Sequence, residues 1–403
     1  MTDLDCIEPA PQPRGPVYLD HAATTVMLPE ALAAMTDELG QLGNPSSLHN
    51  AGRRARRVVE ESREQIAEVY GARPSEVVFT SGGTEADNLA VKGLFWARRA
   101  ADPARSRLLV TPVEHHAVLD SVYWLADHEG AEVDWLPVSA TGRLSPEQLV
   151  AAIERDRARI TLISVMWANN EVGTVQPIAE LARIAREYQI PFHSDAVQAA
   201  GQLPVSLADS GATALTITAH KIGGPVGVGA LLLARGAAPV PVLHGGGQER
   251  DVRSGTLDAP AIRAFAVAVG LASQRRADET KRLAALRDDL IGQVMAAVPD
   301  AILNGEPAGP GRLPGNAHFS FPGCEGDALL MLLDAKDIAC STGSACTAGV
   351  AQPSHVLLAM GADEARARAS LRFSLGSSTT AADIDAVGAV IGEVVERARR
   401  ASR

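Results

Sequence analysis

Between about residues 60 and 235 the chain alternates short apolar runs with segments of helical spacing, and this repetition limits the possible folds more than any other feature. VVEESREQIAEVY is amphipathic and precedes EVVFT (76–80); LAVKGLFWARR then returns to helical spacing before RLLVT (107–111). The order continues with a helix from about Val118, AEVDWLPV, the helix PEQLVAAIERD, RITLISVM (159–166) and the helix PIAELARIAREY. IPFHSDA (190–196), ALTITAH (214–220) and GALLLA (229–234) follow. Apolar, β-branched strands alternating with helices predict an α/β fold, with a mainly parallel central sheet and helices on both faces.

Around residue 260 the texture changes. AIRAFAVAVGLASQRRADETKRLAALRDDLIGQVMAAV keeps helical periodicity throughout, as two helices or one long bent one, and reads as a connector leaving the sheet. Beyond it, NAHFSF and RASLRFSL mix with the helical DALLMLLDAK and ADIDAVGAVIGEVVERARR, which suits a smaller α+β domain. A chain of 403 residues has room for such a division. The expected organisation is a flexible lead-in over 1–16, a large domain over 17–260 whose first residues pack on the small domain, and a small C-terminal domain over 261–403.

Charge and composition exclude several classes of protein. A net charge of −11 argues against a broad nucleic-acid surface, because phosphate binding depends on cationic side chains. The run Arg53, Arg54, Arg56, Arg57 has helical spacing and reads as a solvated helix face. No apolar stretch reaches membrane length, and MTDLDCIEPAPQPRGP lacks the apolar core of a secretory signal, so a cytoplasmic location is expected. Cys6, Cys324, Cys340 and Cys346 contain no C-x-x-C pair and fit neither a disulfide framework nor a zinc or iron–sulfur motif; no metal is expected.

In an open parallel sheet, ligands sit beyond the carboxyl ends of the strands. After EVVFT comes Ser81-Gly82-Gly83-Thr84-Glu85, whose glycines let backbone approach an anion at a helix start, although a plain glycine turn reads equally well. His115 follows RLLVT, Asn169-Asn170-Glu171 follows RITLISVM, Asp195 and Gln198 follow IPFHS, and His220-Lys221 follows ALTIT. An aspartate and a lysine at the ends of two inner strands have a specific joint use. Pyridoxal phosphate needs a lysine to hold its aldehyde carbon, a carboxylate to keep its pyridine nitrogen protonated, and donors for its phosphate. Lys221 and Asp195 supply the first two. Thr84, Thr218, His220 and the Gly82–Gly83 backbone are candidates for the phosphate, Gln198 for the ring hydroxyl, and His115 for stacking on the ring. The plain alternative makes Asp195 a helix cap and Lys221 a surface lysine.

The motifs themselves are similar to those of a known family. YLDHAATT (18–25), GNPSSLH (43–49), FTSGGTEADNLA (79–90), EHHAVLD (114–120), NNEVGTVQPI (169–178), HSDAVQ (193–198), TAHKIGGPVGVGAL (218–231), HGGGQERDVRSGTL (244–257), STGSACT (341–347) and LRFSLG (371–376) resemble the NifS/IscS-type cysteine desulfurases. These are class V, fold-type I pyridoxal phosphate-dependent transferases, and the matches run in order over nearly the whole chain. The resemblance implies that Lys221 binds the cofactor covalently, Asp195 partners its pyridine nitrogen, Gln198 contacts its ring oxygen and His115 stacks on it and moves protons. It gives Gly83, Thr84, Thr218 and His220 to the phosphate, with Thr218 standing where a serine is common. Thr256 would reach the phosphate of the neighbouring subunit, which implies a homodimer. Asn170 and Arg372 would hold the substrate carboxylate, for which a guanidinium has the right planar geometry.

Cys346 would be the nucleophile that takes sulfur from L-cysteine as a persulfide, leaving L-alanine. The surrounding CSTGSACTAG is rich in Ser, Gly and Ala, and a mobile loop over 341–352 is expected. The implied partners are L-cysteine and a sulfur-acceptor protein such as an iron–sulfur scaffold or a tRNA-thiolation enzyme, with no direct contact to nucleic acid or membrane. A selenocysteine lyase or aminotransferase of the same class is the alternative; a non-enzymatic iron–sulfur scaffold is disfavoured by the cysteine spacing.

Overall fold

A computed structural model describes residues 15–343 and 352–401. Its strands are β1 (Val17–Tyr18), β2 (Val77–Thr80), β3 (Arg107–Val110), β4 (Glu132–Trp135), β5 (Ile160–Ser164), β6 (Phe192–Asp195), β7 (Ala214–Thr218), β8 (Gly229–Leu233), β9 (Ile302–Leu303), β10 (Asn316–Ser320), β11 (Ile338–Ala339) and β12 (Ser370–Ser374). Its helices are α1 (Pro29–Leu39), α2 (Asn50–Val69), α3 (Gly83–Ala101), α4 (His116–Glu129), α5 (Pro146–Arg155), α6 (Ile178–Glu187), α7 (Leu207–Ser210), α8 (Ala259–Ala297), α9 (Gly326–Asp334), α10 (His355–Ala359), α11 (Glu364–Arg368) and α12 (Ala381–Ala401).

Seven strands form the central sheet in the order β2-β8-β7-β6-β5-β3-β4. Neighbours from β7 to β4 are parallel, whereas β8 runs antiparallel to both β7 and β2. The reversal follows from the connection: residues 219–228 are too few for the helical crossover that a parallel pair requires. Strand side chains alternate between two apolar cores as the pleat demands. Phe79, Leu109 and Ile163 enter one, and Val78, Leu108 and Leu162 enter the other. Helix boundaries follow local chemistry, as at α5, where Ser145 and Gln148 form a reciprocal capping box and Pro146 occupies the first turn.

A second unit is built on the antiparallel sheet β12-β10-β9, with Phe319, Phe373, Leu329 and Ile391 in its core. The start of the chain joins this unit: β1 pairs in parallel with β11, and Val17 and Leu19 enter the same core. Helix α8 is one continuous element of 39 residues rather than two. Ala261 through Val269 lie in the larger core, whereas Leu283, Leu290 and Val294 lie in the second. The seam between units therefore crosses α8 between Val269 and Leu283 rather than falling at residue 260. The change in sequence texture marks where the helix begins, not where its contacts change.

Candidate active site

A cavity of about 380 Å³ opens at the carboxyl ends of the sheet strands and is closed on its far side by the second unit. Gly83, Thr84, His115, Asn170, Asp195, Gln198, Thr218, His220, Lys221 and Arg372 all border it. Thr256 does not; it borders a separate surface depression with Leu42, Asn44 and Ser47. Cys346 and most of the expected mobile loop lie outside the described residues.

One end of the cavity is set up for an anion. Gly82 takes φ 150° at the cap of α3, a conformation open to glycine, and no side chain caps the helix, so its first N–H groups remain available. Thr84 is the second helical residue. Thr218 donates through Oγ1 to the Val228 carbonyl at 3.3 Å, and His220 Nδ1 lies 3.3 Å from Thr24 Oγ1. Glu85, an acid in the same first turn, would repel an anion if left bare. Its carboxylate instead accepts from the Ser81 amide at 2.7 Å and from Arg253 at 2.7 and 3.1 Å, and these bonds hold its pKa low despite partial burial.

The other end gathers carboxyl groups without enough cations. Asp195, at the end of β6, is buried and accepts from the Val197 amide at 2.8 Å. Burial, then repulsion from Asp87, pushes its pKa up to about 8. Asp87 is pushed up to about 7 by burial. Its Oδ1 lies 3.4 Å from His193 Nε2 but has no hydrogen-bond partner among the described residues. Glu114, raised to about 8 by burial above all, accepts from Met166 N at 2.7 Å and from the Thr111 hydroxyl, leaving Oε2 without a hydrogen-bond partner among the described residues. His193 is wedged among these groups, with Nδ1 2.9 Å from Ser164 Oγ and Nε2 3.1 Å from Thr216 Oγ1.

Lys221 donates to the carbonyls of Ala22 and Ala23, and Gln198 donates to the same Ala22 oxygen at 3.0 Å. Burial, reinforced by Arg372, pulls the lysine pKa down to about 8, so roughly a tenth is free amine at pH 7, far more than for an ordinary lysine. His115 caps α4 by accepting the Ala117 amide on Nδ1 at 3.1 Å. Desolvation of its ring, then the Lys221 charge, pulls its pKa down to about 4. The neutral ring therefore carries its hydrogen on Nε2. Across the cavity, Arg372 donates to Asp20 Oδ1 at 2.7 Å and to the Asn170 carbonyl at 2.9 Å, while its buried Nε has no hydrogen-bond partner among the described residues.

This donor set fits pyridoxal phosphate. Asp195 lacks the cation that a protonated pyridine nitrogen would supply, the start of α3 offers uncommitted N–H groups, and a lysine with depressed pKa stands between them. Asp20, Glu85, Asp87 and Glu114 had no role in the sequence reading although each lies in a quoted motif. The acidic residue inside each of YLDH, TEAD and VEHH was the available signal. Cys324 and Cys340 are buried, and burial pushes the Cys340 thiol up to about 12.

Comparison with known proteins gives a consistent result. The Aminotransferase class-V family matches residues 17–387. The chain is 58% identical over 385 residues to an IscS-like cysteine desulfurase of Mycobacterium tuberculosis, covering 96% of this chain and 98% of that protein. Among solved structures, a NifS-like protein superposes with a TM-score of 0.86 at 33% identity, covering 95% of this chain and 100% of that one. SspA in complex with cysteine superposes with a TM-score of 0.76 at 34% identity, over 89% of this chain and 98% of that one.

Proposed function

Because the chain belongs to the class-V aminotransferase family and, within it, to the IscS/NifS-like cysteine desulfurases, which depend on pyridoxal phosphate, we propose that it converts L-cysteine to L-alanine and retains the sulfur as a persulfide. The observation that carries this reading is the pairing of buried, cation-poor Asp195 with half-buried Lys221 in one cavity, faced by Arg372. Gly83, Thr84, Thr218 and His220 would hold the cofactor phosphate, Asp195 its ring nitrogen, Gln198 its ring oxygen and Lys221 its aldehyde carbon, with His115 against the ring. Bound there, the cofactor supplies an electron sink for bonds broken at the substrate's α-carbon.

The protein's own groups do the rest. Asn170 and Arg372 orient the substrate carboxylate, with Arg372 exchanging part of its Asp20 and backbone contacts for it. Lys221, freed by the substrate amine, removes the α-proton through its unprotonated Nζ and later returns a proton. His115, held neutral, offers a hydrogen bond from Nε2–H. Cys346 supplies the attacking thiol: its sulfur bonds to the substrate sulfur, the substrate C–S bond breaks, and the β-carbon takes up a proton.

The active unit is a homodimer in this reading, with Thr256 reaching the partner's phosphate site. Leu42 and Leu48, 87% and 86% exposed on the segment beside Thr256, are the apolar surface such an interface would cover. The sulfur passes to an acceptor protein, an iron–sulfur scaffold or a tRNA-thiolation enzyme, and the enzyme works in the cytoplasm. No described helix is long and apolar enough to cross a membrane. The test is alanine formation from L-cysteine without a keto acid. An aminotransferase would need the keto acid; a desulfurase would not. Cys346→Ser should keep the cofactor's visible absorbance and stop alanine formation, and normal turnover by this variant would remove Cys346 from the mechanism.

A further inference from the structure

The start of α3 offers uncommitted N–H groups to a phosphate, yet Glu85 places a carboxylate in the same first turn. That carboxylate shapes the turn. Its Oε2 accepts the Ser81 amide at 2.7 Å, which closes Ser81-Gly82-Gly83-Thr84-Glu85 on itself. The turn therefore uses the Glu85 oxygens, whereas a bound phosphate is opposed by their charge. Arg253 meets that charge with two nitrogens of its planar fork, Nε 2.7 Å from Oε1 and Nη2 3.1 Å from Oε2, and both side chains are largely buried.

Arg253 comes from the segment joining β8 to α8, and that segment is strained. Three successive residues other than glycine have positive φ there: Glu249 at 48°, Arg250 at 56° and Asp251 at 62°. Such a run persists only where its surroundings hold it. Glu249 accepts from Arg63 of α2 at 2.6 and 2.8 Å and from the Phe79 amide of β2 at 2.8 Å. Arg63 and Arg250 both donate to the Val77 carbonyl, at 2.8 and 3.0 Å. The Arg63 and Glu249 side chains are 3% and 1% exposed. β2 is the edge strand that runs into Ser81, so the strained turn and the phosphate end are fixed on one element. Gln248 then accepts the Gly255 amide at 2.8 Å and Ser254 accepts the Gly247 amide at 3.3 Å, which closes the segment around Arg253.

We propose that Arg253 sets the affinity of this site for the cofactor phosphate by cancelling the charge of Glu85. This rests on the cavity holding pyridoxal phosphate, as the desulfurase reading requires, and adds a positioning residue to it. Neither side chain borders the cavity, so the effect is one of charge rather than contact. An unpaired carboxylate at the helix start would repel the phosphate through protein of low dielectric and compete with it for the positive end of the helix dipole. Although burial opposes ionisation, the bonds from Arg253 and Ser81 hold the Glu85 pKa below its ordinary value, so the charge to be cancelled is present.

The test is the affinity of the cofactor-free protein for pyridoxal phosphate and for pyridoxal, which lacks the phosphate, each read from the visible absorbance that develops on titration. Arg253→Gln should raise Kd for pyridoxal phosphate about tenfold or more and change Kd for pyridoxal by less than about twofold. Glu85→Gln still accepts the Ser81 amide, and added to Arg253→Gln it should return Kd for pyridoxal phosphate to within about threefold of wild type. Equal losses for both ligands, or no recovery in the double variant, overturn the proposal, since an arginine needed only for folding would give those results. Should Arg253→Gln not fold, Glu85→Gln alone decides. With Arg253 unopposed, pyridoxal phosphate should bind more tightly and pyridoxal as before; unchanged or weaker binding of pyridoxal phosphate overturns the proposal. Wild-type protein that takes up neither ligand would overturn the cofactor reading and the proposal together. Wild-type protein that prefers pyridoxal phosphate, beside an Arg253→Gln variant with the same preference, overturns the proposal alone.

Discussion

Two cavities of nearly equal size, about 380 and 400 Å³, share Ala22, Gln198 and Lys221 along their borders, and their charges are treated very differently. In the second, charged groups have partners. His21 has Thr25 Oγ1 2.6 Å from one ring nitrogen and Ser378 Oγ 3.3 Å from the other, Glu279 binds Arg282 at 2.8 Å, and Arg275 binds Glu30 at 2.7 Å. In the first, Asp195 and Asp87 both border the cavity with raised pKa values, and Asp87 Oδ1 and Arg372 Nε lack hydrogen-bond partners among the described residues. Volume does not distinguish a reaction site from a packing gap here. Unmet charge does: the second cavity leaves only the neutral Asn316 Oδ1 unpartnered among the described residues, whereas the first leaves ionisable groups so, which costs stability unless a ligand completes them.

The comparison can be broken at several points. Replacing Lys221, which borders both cavities, should have the largest effect: Lys221→Ala should lower alanine formation by about 10³-fold or more and remove the visible absorbance of covalently held cofactor. An unchanged spectrum would mean that another residue holds the group. Arg372→Lys keeps the charge but loses the planar fork, and should raise KM for L-cysteine by about tenfold with a smaller change in kcat.

The carboxyl cluster should show itself in the cofactor-free protein as a pH effect on stability. Asp195 and Glu114 hold protons up to about pH 8 when folded, against ordinary values of 3.8 and 4.5, so the folded state binds more protons in that interval and loses stability as pH rises. His115 and His193, lowered from 6.5 to about 4, act in the opposite direction, but only below 6.5. Lys221, lowered from 10.5 to about 8, acts only above 8. Between pH 6.5 and 8 the melting temperature should therefore fall, and fall less in Asp195→Asn; a flat profile would show that the cluster is ionised without its ligand. The smallest effect belongs to the second cavity. Arg275→Ala breaks a half-exposed ion pair that solvent screens, and turnover should change by less than about twofold. A larger loss would give that cavity a functional role.

The strand ends were legible because short apolar runs stop abruptly at polar residues, as at Asp195 and His220. That places side chains in order along the sheet edge. The carboxyl cluster was not legible, since Asp87 lies on α3 and Glu114 before α4, and only the packing of α3 on β6 and β7 and the bond from the Met166 amide beyond β5 to Glu114 bring them together. The reversal of β8 was readable in principle from the short, glycine-rich HKIGGPVGVG, which leaves no room for a helix.

The ion pair between Asp20 and Arg372 joins residues 352 positions apart. At roughly 5–20 residues per second, a ribosome needs on the order of 20–70 s to travel between them. β1 waits through most of that interval without β11, and Arg372 is absent from any chain released before it is reached. A chain that stops before Arg372 can thus complete the seven-stranded sheet and still lack the guanidinium assigned to the substrate carboxylate.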